Sequence, residues 1–215
     1  ELLEFNNVIN IIFLGKIVRP DLSEFKYDGV IEQYIPLLIE SYKKGDSAVL
    51  NTVIKIFKKY KFNVVSPLKF TDKFKLSGGI LKNSYAKVDE IDIIKSCKLL
   101  DALSKFDNAQ SVVSINGYII GIEAVEGTDA LLRRTRYLRK DYDQLKNKSG
   151  FLVKKPKKNQ SKIIDLPVIG PKTIQLVKKA NLKGLAINSK HTIFYKKNEV
   201  VRLINKFKLI IYDVT

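Results

Sequence analysis

The sequence has few of the residue types that build thiol catalysts, metal–sulfur sites or disulfide frameworks. Its 215 residues include no methionine, no tryptophan, one cysteine and one histidine. A single cysteine forms no internal disulfide, and a zinc site or a nucleophile pair that needs both Cys and His is not expected. We therefore interpret Cys97 as inert packing in a protein of the reducing cytoplasm.

The sequence also lacks long apolar runs and an initiator residue. No run approaches the roughly 20 apolar residues that a membrane-spanning helix needs, so no such helix is predicted. The chain opens at Glu1 in what reads as an amphipathic approach to a strand. From this we expect further sequence before Glu1.

Acidic residues are outnumbered by basic ones, 22 against 39, which gives a net charge of +17. Such an excess favours an anionic partner: nucleic acid, a phosphorylated ligand or an anionic membrane surface. The lysines are dispersed over every segment, as is typical of solvated faces. Because the sequence has no RNA-binding aromatic strand, zinc-finger spacing or basic recognition helix, we expect no nucleic-acid partner. A basic nucleic-acid-binding protein is kept as the alternative.

Short apolar runs alternate with segments of helical spacing, which predicts an α/β protein of two domains joined by a helical linker. Residues 1–81 are predicted to be the remainder of a partial Rossmann-like N-terminal domain. Residues 82–106 form the linker helix, and residues 107–215 form a mixed α/β C-terminal domain, which we expect to be catalytic.

Two local patterns inside these domains are informative. In the linker helix, Ile91, Ile94, Leu99 and Leu103 are predicted to face inward. Asn116-Gly117 between two β-rich runs predicts a tight hairpin.

The first candidate site spans Glu126–Asp129, where a strand turns into a helix. Gly127 lets a ligand approach the backbone closely, and free amides at a helix N-terminus favour an anion. Glu126 and Asp129 could join a Mg²⁺ ion to phosphate, since Mg²⁺ prefers a few carboxylates and substrate oxygens. Taken alone, the segment is explained better as a helix start with Thr128 as its N-cap.

Two further segments carry candidate residues. Lys154 begins a lysine cluster just after a strand, a position from which a cation reaches phosphate. Asp165 lies between isoleucines and Leu166-Pro167, an apolar setting that would hold a carboxylate in place to activate water. A turn-forming role is equally compatible with Asp165. Gly170–Thr173 opens another helix and is a second anion site or an ordinary helix start.

Together these segments resemble the LpxI-type UDP-2,3-diacylglucosamine diphosphatases, a family of lipid A biosynthesis whose C-terminal half was long a domain of unknown function. The resemblance rests on an ordered set of motifs over nearly the whole chain: GKIVRPDL (15–22), KGDSAVL (44–50), FDNAQ (106–110), NGYIIGIEAVEGTDALLRR (116–134), FLVKKPK (151–157) and DLPVIGPKT (165–173). One departure lies before Gln110, where the family usually has glycine and this chain has Ala109.

The resemblance implies hydrolysis of the diphosphate of UDP-2,3-diacylglucosamine to UMP and 2,3-diacylglucosamine 1-phosphate with a divalent cation, Mg²⁺. It also implies work in the cytoplasm, peripheral to the anionic inner membrane, and a homodimer is possible. A nucleotide-sugar-binding module without activity is the other alternative. The residues assigned are Asp165 for catalysis; Gln110, Gly127, Thr128, Lys154, Gly170 and Thr173 for substrate; and Asp129 and Glu126 for the metal.

Overall fold

The computed structural model describes residues 2–15, 29–76, 78–158 and 161–215. The chain divides into two compact units, one of Glu1–Phe70 with Gln160–Asp165 and the other of Thr71–Asn159 with Leu166–Thr215. Helices and strands mix in both units, so the predicted α/β class is confirmed. Within the described ranges, no helix combines the length and apolarity needed to cross a bilayer.

The first unit is built from short helices and a pair of very short strands. Its elements are α1 (Leu2–Phe5), β1 (Asn10–Ile11), α2 (Gly29–Glu32), α3 (Ile35–Lys43), α4 (Asp46–Lys59), β2 (Asn63–Val64) and a 3₁₀ turn (Pro67–Lys69). Strands β1 and β2 pair in parallel. The Phe57 ring packs edge-on against Phe13 and Phe62, at centroid distances of 5.3 and 6.2 Å. The motif residues 16–22 lie outside the described residues.

The second unit holds a six-stranded sheet with helices on both faces. Its helices and strands are β3 (Leu81–Lys82), α5 (Lys87–Leu103), β4 (Ser111–Ile115), β5 (Tyr118–Ile122), α6 (Gly127–Asp141), β6 (Phe151–Lys154), β7 (Val168–Ile169), α7 (Pro171–Lys179), β8 (Gly184–Ile187), β9 (Ile193–Phe194), α8 (Lys197–Phe207) and β10 (Ile210–Asp213). Short 3₁₀ turns lie at Asp72–Phe74, Ser104–Phe106, Asp143–Leu145 and Ser189–His191. The sheet order is β3-β10-β8-β6-β4-β5, and β7 pairs with β9 in a separate two-stranded sheet.

Strand direction in the large sheet determines which residues meet at one edge. Strands β3, β10, β8 and β6 are parallel, whereas β4 runs antiparallel to both β6 and β5. The ends of β5 and β6 and the start of β4 therefore lie along the same edge of the sheet. The side chains of these strands alternate between two cores, with Val112 and Phe151 in the core beside α5 and Val113 and Leu152 in the core of the opposite face.

Helix α5 packs on this sheet through a face that matches the predicted one only toward its C-terminus, where Leu99 and Leu103 pack against the core. The inward orientation of Ile91 and Ile94 is wrong, because these side chains are 64% and 37% exposed. Its buried positions are Asp89, Asp92, Ile93, Ser96 and Leu100. A count of apolar residues misses this face because two of its members are carboxylates whose partners are distant in sequence.

One of those carboxylates holds the predicted hairpin, which is confirmed between β4 and β5. Asn116 and Gly117 adopt φ of 52° and 82°, as a type I′ turn requires. Asp92 accepts hydrogen bonds from the amides of Asn116 and Gly117 at 3.1 and 2.7 Å and from the Ser114 hydroxyl at 2.5 Å. The buried carboxylate thus has donors on both oxygens, as a stable buried charge requires.

Candidate functional site

Helix α6 starts at the sheet edge where β5 and β6 end, and Thr128 lies in its first turn. The prediction that Thr128 caps this helix is wrong: the residue before α6 is Glu126, which makes no side-chain cap bond. The Thr128 hydroxyl instead donates to Glu123 Oε1 at 2.8 Å. Glu123 follows β5 directly, and its carboxylate is a stronger acceptor for a hydroxyl proton than a neutral carbonyl.

Lys154, the last residue of β6, reaches the same hydroxyl. Its ammonium donates to Thr128 Oγ1 at 2.6 Å and to Ser111 Oγ at 3.3 Å, and the residue is 6% exposed. Ser111 is its register partner on β4, and the two hydroxyl oxygens lie 3.2 Å apart. Strand pairing therefore fixes the ammonium against two hydroxyls at the sheet edge.

The hydrogen bonds of this polar cluster, Ser111, Glu123, Thr128 and Lys154, have a defined direction. Thr128 has one hydroxyl proton, and donating it to Glu123 turns the oxygen lone pairs toward Lys154. The hydroxyl thus couples a buried ammonium to a carboxylate. The other carboxylate oxygen, Glu123 Oε2, is buried and has no hydrogen-bond partner in the described part of the chain.

Two ion pairs surround the start of α6. Asp129 pairs with Lys172 at 2.7 Å, which joins the first turns of α6 and α7. Glu126 accepts from the Ala124 amide at 3.1 Å and pairs with Arg134 at 3.5 Å. The structure therefore places the helix start at Gly170–Thr173 next to the one at Gly127–Asp129.

The remaining predicted substrate residues of this unit lie close by. Gly170 is the residue before α7, with Pro171 in the first turn, and Thr173 is buried. The Gln110 carbonyl accepts from the Lys155 amide at 3.1 Å, so Gln110 lies beside the end of β6. Gly127, the first residue of α6, has φ of 79°, and there is open space where a Cβ would stand.

The other lysines after β6 do not share the position of Lys154. Lys155 pairs with Asp101 at 2.9 Å, and Lys157 pairs with Asp107 at 2.7 Å. Both acids lie at or beyond the last turn of α5, so these lysines anchor the loop to that helix. Lys154 is the member of the lysine cluster that contacts the Thr128 hydroxyl.

Sequence reasoning missed Ser111 and the role of Glu123. A serine among the valines of β4 and a carboxylate just after β5 were the available signals, because each places a polar side chain at the edge where strands end. Asp165 belongs to the first unit, where the amides of Ile163 and Ile164 donate to the Ser161 hydroxyl at 3.2 and 3.4 Å. Its catalytic role stays a prediction.

The carboxylates fit a sparsely ligated cation better than a protein-enclosed one. In the ranges that the structure describes, no group of three or more His, Cys, Asp or Glu side chains could hold a metal ion. Mg²⁺ commonly binds through one or two carboxylates together with substrate phosphates. The acids at the start of α6 suit that mode, although Glu126 and Asp129 are already paired with Arg134 and Lys172.

A buried lysine at the sheet edge beside two neighbouring helix starts is typical of an α/β protein that binds phosphate. Two family models match the chain: the LpxI N-terminal domain over residues 1–74 and the LpxI C-terminal domain over residues 77–212. The UDP-2,3-diacylglucosamine pyrophosphatase LpxI of Caulobacter vibrioides is 30% identical over 206 residues, which cover 95% of this chain and 74% of that protein. The chain belongs to the LpxI family, and the predicted family is confirmed.

Proposed function

We propose that this protein hydrolyses the diphosphate of UDP-2,3-diacylglucosamine, releasing UMP and 2,3-diacylglucosamine 1-phosphate for lipid A biosynthesis. Membership of the LpxI family and the name of the Caulobacter relative support this substrate. The observation that carries the proposal in the structure is the Lys154–Thr128–Glu123 chain at the edge where two helices begin. A fixed ammonium and helix N-termini are suited to phosphate oxygens.

In the proposed reaction the protein binds the diphosphate and positions water. Lys154 and the free amides at the starts of α6 and α7 offset the charge of the phosphate oxygens. Asp165 orients water and takes its proton. The water oxygen bonds to one phosphorus while the bond between that phosphorus and the bridging oxygen breaks, so the bridging oxygen leaves with the other phosphate.

In this proposal Thr128 and Glu123 position the Lys154 ammonium and do not act on the attacking water. Because the Thr128 proton is directed at Glu123, its oxygen must accept from Lys154. Together with the bond to Ser111, this fixes two N–H directions of the ammonium and so holds its charge at the sheet edge.

Mg²⁺ is part of the proposal, held by Glu126 or Asp129 together with substrate oxygens. The ion would neutralise charge on the diphosphate in the transition state. Binding by Asp129 requires exchange of Lys172 for the cation, and binding by Glu126 requires exchange of Arg134. Substitution of Lys172 by Gln should therefore change the Mg²⁺ concentration for half-maximal turnover if Asp129 is the ligand.

The acyl chains and the membrane are the least direct part of the proposal. Val88 and Ile91 on α5 are 75% and 64% exposed. Burial of such side chains against acyl chains is favourable by roughly 25 cal/mol per Å². Together with the net charge of +17, this supports the proposal that the protein visits the anionic inner membrane from the cytoplasm. Flotation with vesicles of increasing anionic lipid content tests this, and a homodimer is checked by light scattering.

Two neighbouring lysines provide the test of the reaction. UMP release from UDP-2,3-diacylglucosamine is measured with Mg²⁺ for the parent, Lys154→Gln and Lys155→Gln. Lys154→Gln should lower turnover about 100-fold, the order expected for loss of a charged hydrogen-bond donor to a transition state. Lys155→Gln loses the same charge from an ion pair with Asp101 and should stay within about threefold. Tight UDP-sugar binding with no UMP release from the parent would instead support the nucleotide-sugar-binding module.

A further inference from the structure

A cleft lined almost entirely by cations lies at the other end of helix α6. Its volume is about 400 Å³, and its lining is Arg136, Arg139, Lys140, Lys146, Lys179 and Asn181. Residues of the last turns of α6 and α7 meet there with the loop that precedes β6. The side-chain amide of Asn181, just after α7, donates to the Lys146 carbonyl in that loop at 2.9 Å, which ties the two walls together.

This cleft is separate from the polar cluster around Thr128. Arg139 lies 11 residues after Thr128 on α6, a distance of roughly 16 Å along a helix axis. The Arg139 guanidinium donates to the carbonyls of Leu145, Asn147 and Ser149. These residues precede β6, whereas Lys154 ends it, so the two sites lie at opposite edges of the sheet.

The cleft holds more positive charge than its surroundings neutralise. Lys146 pairs with Asp143, but in the described ranges neither Arg136 nor Lys179 has an ion pair or a side-chain hydrogen bond. Lysine and arginine at a helix C-terminus are favoured by the helix dipole. That effect accounts for single cations on each helix and not for their convergence on one concavity.

The buried side chain of Arg139 is independent evidence that the cleft binds an anion. It is 5% exposed, its acceptors are neutral carbonyls, and its Nε is buried without a hydrogen-bond partner in the part of the chain that the structure describes. Burial lowers the pKa of this guanidinium to about 10. A buried cation with no counter-ion is costly, and an anion bound in the cleft that Arg139 lines offsets that cost.

We infer that this cleft binds the phosphate group of an anionic ligand at a site distinct from the hydrolytic one. Arginine forks and lysine ammonium groups suit phosphate oxygens in particular, because each oxygen accepts several charge-assisted hydrogen bonds. The shared chemistry is a phosphate that is either free in solution or carried by a lipid headgroup. The inference does not rest on the proposed hydrolysis, since none of its residues belongs to the Thr128 cluster.

The test compares two double variants that remove the same charge. Arg136→Ala with Lys179→Ala removes two exposed cations from the cleft. Arg139 is left in place because its guanidinium holds the loop before β6. Lys190→Ala with Lys206→Ala is the control, because both of these lysines are exposed and outside the cleft lining. Thermal unfolding of both proteins confirms that they fold.

Binding is measured at 0.15 M salt in two arms, by titration calorimetry with inorganic pyrophosphate in proteins that all carry Lys154→Gln, which weakens the proposed diphosphate site, and by co-sedimentation with phosphatidylglycerol-containing vesicles against phosphatidylcholine vesicles. The cleft variant should bind about tenfold more weakly, and the control should match the parent. A selective loss with pyrophosphate identifies a free phosphate ligand, and a selective loss with vesicles alone identifies a headgroup. Equal weakening of both variants, or no binding by the parent in either arm, overturns the inference.

Discussion

Strand β4 has a buried polar cluster at each end, and the two clusters differ in how many of their carboxylate oxygens accept hydrogen bonds. At its C-terminal end, Asp92 accepts three hydrogen bonds from Ser114 and the hairpin amides, and both of its oxygens are used. At its N-terminal end, Glu123 accepts one hydrogen bond from Thr128, and its buried Oε2 has no partner in the described residues.

The difference separates a structural carboxylate from one available to function. A fully bonded buried carboxylate stabilises the turn that it contacts and has no capacity for a ligand. An incompletely bonded one, coupled through a hydroxyl to Lys154, costs stability unless a ligand completes it. The comparison therefore predicts that substitutions at one end reduce the free energy of unfolding, whereas those at the other end reduce turnover.

The largest effect is expected at Asp165, the carboxylate that we propose activates water. Asp165→Ala should lower turnover by about 10² to 10⁴ if this side chain is the general base. Substrate affinity and the far-ultraviolet circular dichroism spectrum should be unchanged, because uridine, diphosphate and acyl chains supply most of the contacts. Turnover near that of the parent would remove Asp165 from the mechanism without affecting the family assignment.

The structural end of β4 is tested by Asp92→Ala. This change leaves the Ser114 hydroxyl and two amides without their acceptor, and should lower the free energy of unfolding by about 3 kcal/mol. Urea denaturation measures the loss. Asp72→Ala is the matched control: its carboxyl is 89% exposed in an ion pair with Lys75, and its removal should cost much less than the removal of Asp92. A similar loss in the free energy of unfolding for the two variants would mean that Asp92 is not a structural carboxylate.

The functional end is tested by Thr128→Val beside Thr128→Ser. Valine keeps the shape of threonine but removes the acceptor of the Lys154 ammonium and the donor to Glu123. Loss of hydrogen bonds to charged groups is worth about 1.5–3 kcal/mol, so turnover should fall about 10- to 100-fold. Serine keeps the hydroxyl and should retain most of the activity. Equal activity of the two variants would mean that the hydroxyl chain does not position Lys154.

The hairpin and the family could be predicted because their signals are local or ordered along the chain. Asn116-Gly117 specifies its turn by backbone preference alone. The buried face of α5 could not be predicted in this way, because the hydrogen-bond donors to Asp92 lie 22 to 25 positions away in the sequence. From the sequence alone a carboxylate is predicted to be solvent-exposed, because its distant hydrogen-bond donors are not known.

The same limit applies to the candidate site. Lys154 and Lys155 are adjacent and chemically identical in the sequence, and strand pairing alone turns one toward Thr128 and the other toward Asp101. The sequence predicts a helix cap at Thr128 because that is the usual role of threonine near a helix start. In the structure the hydroxyl instead donates to the Glu123 carboxylate, and the sequence does not show that these two side chains meet.

The smallest expected effect concerns backbone strain at the two ends of β4. In the hairpin, the left-handed positions are taken by Asn116 and Gly117, which tolerate a positive φ, whereas Ala109 next to the functional end has φ of 59°. A non-glycine residue in this region costs roughly 1–2 kcal/mol, and a buried methyl group returns about 0.8 kcal/mol. Ala109→Gly should therefore stabilise the protein by about 0.5 kcal/mol. Ala102→Gly, at an exposed position of α5, is the opposing control and should destabilise the protein by about 0.5–1 kcal/mol. Urea denaturation of both variants measures the two signs, and a loss of the same size at both positions would show that position 109 stores no strain.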